Sequence, residues 1–165
     1  MPELNPTSAA LLGLLYDGPA AGGELVAAAT RRFGAFFSVT RSQVYRELPA
    51  LAEAGFVKLG KQGPRSSQQY VITTAGKKAF KGWLATEPGP DHLRSPLLLR
   101  LAHADELTDK QREGLIEIAR QRYADDAEAA KAAAKQSDGR YAKALADFGA
   151  AHTKALLKLL DAIAD

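Results

Sequence analysis

Two prolines and a glycine fall within six residues, Glu87-Pro88-Gly89-Pro90-Asp91-His92, and no helix or central strand survives such a run. The chain is therefore read in two parts, divided near residue 88. Each part must bury its own apolar face or share that burden with another surface.

Before the break the segments are short. Pro6-Thr7-Ser8 precedes AALLGLLYDG, in which Ala10, Leu11, Leu14 and Leu15 recur at helical spacing, so Thr7 or Ser8 is the expected cap and Gly18-Pro19 the end. AGGELVAAATRRFG gives a second helix with Leu25, Val26, Ala29 and Phe33 inward and Gly34 as its stop. SVTRSQVYRELPALAEAGFV gives a third, capped by Thr40, with Val44, Leu48, Leu51 and Ala52 inward and Gly55 at its end. FVKLG and QYVITT flank the Gly/Pro/Ser-rich KQGPRSSQ, which reads as a β-hairpin with a long basic tip. Thr73 or Thr74 then caps AGKKAFKGWLAT.

After the break, RSPLLLRLAHA is a short apolar helix. Thr108 caps a helix of about 28 residues, ending near Gln136, with the stripe Ile116, Ala119, Tyr123, Ala127, Ala130 and Ala134. Ser137-Asp138-Gly139 interrupts it. The last helix carries Tyr141, Leu145, Phe148, Leu156, Leu159, Leu160 and Ile163, with less bulk around His152. Two long helices across a three-residue break predict an antiparallel hairpin. Of the apolar residues, 32 are alanines, so the core is lean, and pairing with a second copy would complete it.

Several function classes drop out. The chain has no cysteine, which removes disulfides, thiolate metal sites and thiol nucleophiles. His92, His103 and His152 have no ligand spacing, so no metal or other cofactor is expected. Asp125 and Asp126 point apart on a helix, and the Gly60 to Gly63 stretch lacks the Lys-Ser/Thr of a P-loop. An enzyme is not expected. No apolar run is long enough for a membrane span and the first residues lack a basic signal region, so the expected location is the cytoplasm. The net charge of +3 is uneven: residues 1–85 hold ten basic and five acidic side chains, residues 86–165 twelve and fourteen. A basic first part suggests a polyanionic partner there.

Helix, helix, helix, hairpin and helix, in that order, is the plan of a winged helix-turn-helix. The fold class expected is mainly α with a small β-hairpin wing, followed by a C-terminal helical domain. The third helix divides its labour as a DNA reader must. Its apolar side is buried, while Thr40, Arg41, Ser42, Gln43, Tyr45 and Arg46 crowd its first turns, the end that meets base edges in a major groove. Gln43 could pair with adenine, and Arg41 or Arg46 with guanine or phosphate. The Tyr45 hydroxyl and, at the wing tip, Lys61, Arg65, Ser66 and Ser67 are candidate phosphate contacts. Lys77, Lys78 and Lys81 read as a solvated face. The alternative is a winged-helix module that binds a protein and has no specific DNA target.

VYRELPALAEAGFV followed by QYVITTAGKKAFKGWL resembles the PadR family of bacterial transcriptional regulators. The matching positions are Tyr45, Leu48, Leu51, Gly55, Phe56 and Val57, then Tyr70, Ile72, Thr73 and Gly76. LLGLL near the start, SPLLLRLAHADELT and ADFGAAHTKALLKLLDAI resemble the longer-tailed branch of that family. Two positions depart: Gly22-Gly23 stands where many members have Gly-Tyr, and Pro49 lies four residues after Tyr45 rather than directly after it, where it is expected to kink the third helix.

The resemblance implies a homodimeric transcription factor, most often a repressor, on a pseudo-palindromic double-stranded operator, and so associated with the nucleoid when bound. Residues 1–87 would bind DNA and residues 91–165 would dimerise. Dimer contacts would come from Leu98, Leu101, Ile116, Tyr123, Tyr141, Leu145, Phe148, Leu156, Leu159, Leu160 and Ile163. A small aromatic or amphipathic effector is also implied. Trp83, the only tryptophan, is either core packing or one wall of its pocket.

Overall fold

Helix α1 (Pro6–Leu14) is apolar on nearly every side, and a helix of that kind belongs at the centre of its fold. In the computed structural model, which describes residues 4–34, 36–62, 67–91, 93–136 and 139–164, it packs against three other helices. The chain separates into two units, Met1–Gly89 and Pro90–Asp165. In the first, Leu11, Leu12 and Leu15 meet Leu25, Val44 and Leu48, all nearly inaccessible to water. The cap of α1 corrects the sequence reading. Asn5 takes that position, its side chain accepting from the Ser8 amide at 2.8 Å, with Pro6 next, where no amide proton is needed. Thr7 and Ser8 lie within the first turn and are buried.

Helix α2 (Gly22–Phe33) and helix α3 (Arg41–Glu53) pack on α1 and on each other. Thr40 caps α3, and the Gln43 side chain answers by accepting from the Thr40 amide at 2.8 Å, a closed capping box. Val44, Leu48 and Leu51 face the core. Pro49 does not interrupt α3. Both Pro49 and Tyr45, whose carbonyl loses its helical donor to the proline, are exposed residues. Gly55, at φ +72°, turns the chain out of the helix.

The expected hairpin is present as strands β2 (Val57–Gln62) and β3 (Gln68–Ile72), but β3 has a second neighbour. Strand β1 (Ala20–Ala21) pairs antiparallel on its other side, giving the order β1-β3-β2. Two alanines carry no strand signal; the open edge of β3 recruits them. Between Leu59 and Gln62 the ladder slips by one residue. Such a bulge re-aims the local side chains, and here it precedes the wing tip.

Helix α4 (Thr74–Leu84) is fastened to the start of β2. The Thr73 amide donates to the Phe56 carbonyl at 3.0 Å, the Thr73 hydroxyl to the Gly55 carbonyl at 2.7 Å, and the same hydroxyl accepts from the Gly76 amide at 3.0 Å. A Cβ on Gly76 would lie 2.0 Å from the Phe56 oxygen, so only glycine fits there. The Thr-x-x-Gly step is thus a clamp between wing and helix.

The second unit is a helical hairpin with a short base. Helix α5 (Pro96–Leu101) is capped by Ser95, and a 3-10 turn spans Ala104–Glu106. Arg112 braces that turn by donating to the carbonyls of Leu107 at 3.0 Å and Ala104 at 3.3 Å. Helix α6 (Asp109–Gln136) begins at the expected Thr108, which forms a second capping box with Gln111. Helix α7 (Arg140–Ala162) returns along it. Leu97, Ile116, Ala119 and Leu160 form the core, with Leu101, Leu115 and Tyr123 around it. Arg120 pairs with Asp161 at 3.0 Å across the hairpin.

The single stripe expected on α7 is two. Gly149, Thr153, Leu156 and Leu160 are buried. Tyr141, Leu145, Phe148, Leu159 and Ile163 are exposed, Tyr141 at 78%. Consecutive helical residues point about 100° apart, so Leu159 and Leu160 cannot share one face.

Candidate nucleic-acid interface

The first turns of α3 leave the protein surface at the end that carries the basic side chains. Thr40, Arg41, Ser42, Tyr45 and Arg46 are exposed there, and Gln43 is half-buried. Their surroundings separate their roles. The Gln43 side-chain oxygen accepts from both the amide and the hydroxyl of Thr40, at 2.8 and 3.0 Å. A two-point pairing of Gln43 with adenine would require it to give up these bonds to the helix cap. The arginines are better placed. The Arg41 guanidinium sits 5.5 Å from the centre of the Tyr45 ring, one helical turn on. That ring lies on Gly22 at the start of α2: a Cβ there would come within 3.2 Å of Tyr45 Cζ. Glycine, tyrosine and arginine therefore stack in that order, and the arginine is the outermost.

Beside this stack a groove of about 410 Å³ runs between the start of α2 and β3, lined by Gly22, Gly23, Tyr45, Ser67, Gln68 and Tyr70 among others. Glu24, also at its edge, is occupied in accepting from the Ala21 amide at 2.7 Å. Lys61 is exposed on β2 within the bulge, and the Gln68 side chain braces that bulge by donating to the Gly60 carbonyl at 3.1 Å. Ser67 is half-buried at the foot of β3. Arg65 and Ser66 lie outside the described residues, as does His92.

Sequence reasoning passed over Glu47. Its position among Val44, Leu48 and Leu51 puts a carboxylate on the inward side of α3, and it is 8% exposed. Asn5 Nδ2 donates to it at 2.9 Å and Ser8 Oγ at 2.7 Å, both to Oε2. Arg46 donates to Oε1 through Nε at 3.1 Å and Nη2 at 3.0 Å. The bond from Asn5 is the largest influence on its acidity. It outweighs burial, which acts the other way, and with Ser8 and Arg46 it holds the carboxyl below its ordinary range. The usable signal was a charged residue inside an apolar stripe.

Trp83, on α4, is half-buried and stacks on Phe80 at 6.5 Å between ring centres, and Tyr16 also meets Phe80, tilted, at 5.5 Å. Lys77 lies over the Tyr16 ring at 5.5 Å, while Lys78 and Lys81 are exposed. Of the residues expected to dimerise, Ile116, Leu156 and Leu160 are inside their own unit, and Leu98, Leu101 and Tyr123 are half-buried. Tyr141, Leu145, Phe148, Leu159 and Ile163 stand open. Among the described residues no cluster of His, Cys, Asp or Glu could hold a metal ion, and no helix is long and apolar enough to cross a membrane.

Residues 11–82 match the family described as Transcriptional regulator PadR-like. A curated relative, the negative transcriptional regulator PadR of Bacillus subtilis, is 30% identical over 95 residues, which are 55% of this chain and 52% of that protein, so the match spans about half of its length. A PadR-like transcriptional regulator from Bacillus cereus superposes with a TM-score of 0.79 at 21% identity, covering 94% of this chain and 93% of that one. Bacillus subtilis PadR in complex with operator DNA gives 0.73 at 20% identity over 94% of each chain. The same protein in complex with p-coumaric acid gives 0.65 at 20% identity, over 97% of this chain and 96% of that one. These likenesses establish a winged helix with a C-terminal helical region.

Proposed function

We propose that the chain is a PadR-like transcriptional regulator, and within that class a homodimeric, sequence-specific DNA-binding repressor. The observation that carries the reading is the first half of α3. Arg41 and Arg46 stand outward there, Arg41 seated on Tyr45, while the opposite side of the same helix is core. Such a helix enters a major groove by its N-terminal end. Lys61 on the wing meets the neighbouring phosphates, and the Tyr45 hydroxyl offers a further backbone contact. The operator complex of Bacillus subtilis PadR supports this use of the shared fold.

Residues 1–87 bind the DNA, and residues 91–165 make the dimer. The open apolar face of α7, Tyr141, Leu145, Phe148, Leu159 and Ile163, is where a second copy packs, because a two-fold axis repeats one patch on both partners. Two recognition helices then read half-sites about 34 Å apart on a pseudo-palindrome. A small aromatic effector that prefers one helix separation shifts the dimer between DNA-competent and incompetent states. The p-coumaric acid complex of the Bacillus subtilis protein supports that class of effector, and Trp83 with Phe80 offers an aromatic surface. The protein works in the cytoplasm, at the nucleoid when bound.

The test is a gel-shift titration of the full chain against the DNA upstream of its own gene, with competitor DNA present. A discrete shift that the Arg41→Ala, Arg46→Ala double variant loses while remaining dimeric is expected. An unchanged shift in that variant rejects α3 as the reading element, and diffuse binding that competitor abolishes favours a protein partner instead.

A further inference from the structure

Adjacent residues on a helix point about 100° apart, so an arginine and the glutamate after it do not ordinarily meet. Arg46 and Glu47 do. The arginine folds back along α3 and presents its Nε and Nη2 protons to one oxygen of the buried carboxylate, at 3.1 and 3.0 Å. The other oxygen is already held by Asn5 and Ser8 at the head of α1, so the carboxylate cannot follow the arginine outward. A guanidinium has five N–H donors in a rigid fork. With its Nε edge taken, what remains is the outer edge, one proton each on Nη1 and Nη2 and a further Nη1 proton. The Arg46 side chain is still 70% exposed. That outer edge matches the paired O6 and N7 acceptors of guanine in the major groove.

We propose that Glu47 is a specificity-determining positioning residue, which is fixed to α1 through Asn5 and Ser8 and aims the outer edge of Arg46 at a guanine. This rests on the reading that α3 enters the groove. A loose arginine would satisfy itself on any phosphate, because the backbone is everywhere and base edges are not. Fastened by its inner edge, Arg46 loses that freedom and is presented in one orientation. Glu47 also costs general affinity, since its charge repels phosphates.

The two effects give a signature that simple damage to the fold does not. The probes are the tightest-binding duplex selected by the full-length protein from a random-sequence pool, and a scrambled version of it. Glu47→Gln is expected to lower the affinity ratio of selected over scrambled duplex about tenfold, with affinity for the scrambled duplex unchanged or higher. The preference for guanine at one position should relax. Arg46→Ala should lower the ratio by a similar factor, and adding Glu47→Gln to it should change nothing more. Arg46→Lys, which keeps the charge but not the fork, should lose the ratio while keeping most of the salt dependence. Circular dichroism confirms that each variant is folded at the assay temperature. An unchanged ratio in Glu47→Gln overturns the proposal, as does a parallel loss on both duplexes or a full further loss in the Arg46→Ala background. If those occur while Arg46→Ala still weakens selected binding, α3 remains the reader and only the positioning role falls. If Arg46→Ala has no effect on the selected duplex, both fall.

Discussion

Replacing Gly76 with alanine should unfasten α4 from the wing. The new Cβ would sit 2.0 Å from the Phe56 carbonyl oxygen, whereas ordinary contact begins near 3.4 Å, so the backbone must open by more than 1 Å. Phe56 cannot yield easily, because its oxygen already takes the Thr73 amide, and the Thr73 hydroxyl holds Gly55 beside it. Opening the clamp loses or weakens these two bonds, each contributing about 0.5–1.5 kcal/mol. Strain and displaced packing add about 1–3 kcal/mol. Alanine returns up to about 1 kcal/mol through better helix propensity. The expected net loss is about 3 kcal/mol, within a range of roughly 1–6. A unit of this size has on the order of 4–13 kcal/mol in total. The assay is urea unfolding followed by the fluorescence of Trp83, which lies on α4 itself. Gly82→Ala on the same helix is the control, since a Cβ there meets nothing within 4 Å and should be neutral or mildly stabilising. A Gly76→Ala unfolding free energy within about 0.5 kcal/mol of the original would refute the clamp.

Glu47 predicts a stability change with pH. Its carboxyl is held below the ordinary value of 4.5, so the folded state binds the proton less well than the unfolded state. Its contribution is therefore complete above about pH 4.5 and fades as pH falls through the lower folded value. Urea midpoints of the original and Glu47→Gln should differ most near neutrality and converge below pH 4.5; parallel curves would count against it. Phe148→Glu, on the open face of α7, should convert dimer to monomer in sedimentation with the helical spectrum intact, whereas a persisting dimer would move the interface elsewhere. Titration with a planar phenolic acid should quench Trp83 and weaken DNA binding over one concentration range; quenching with unaltered DNA affinity would separate the site from regulation.

What could be read in advance follows from where each signal resides. Helix α3 was legible because its cap, its stripe and its exposed basic turn are all local: Thr40 and Gln43 are three residues apart, and Val44, Leu48 and Leu51 keep helical period. Strand β1 was not, since Ala20 and Ala21 become a strand only against β3, some 50 residues later. The cap of α1 went to Asn5 rather than Thr7 or Ser8 because Asn5 and Ser8 both answer to Glu47, 42 and 39 residues away. Helix α7 shows a third kind of limit. Its apolar residues cover too much of the circumference to reveal which side meets α6, and Leu159 and Leu160 look equivalent until that neighbour is in place. Gln43, which by its type could pair with adenine, is also placed by its spacing to close the cap, as the capping-box pattern contains.

If the start of α3 reads DNA, binding must depend steeply on salt. Fluorescence anisotropy would follow the full-length chain on its selected duplex across a range of salt concentrations, beside the Arg41→Ala, Arg46→Ala double variant. In the original protein log affinity should fall steeply and linearly with log salt, with a slope of about −0.9 per phosphate neutralised, and the variant should show both a weaker affinity and a shallower slope. Affinity that ignores salt, or a variant that matches the original in both quantities, would contradict that reading of α3.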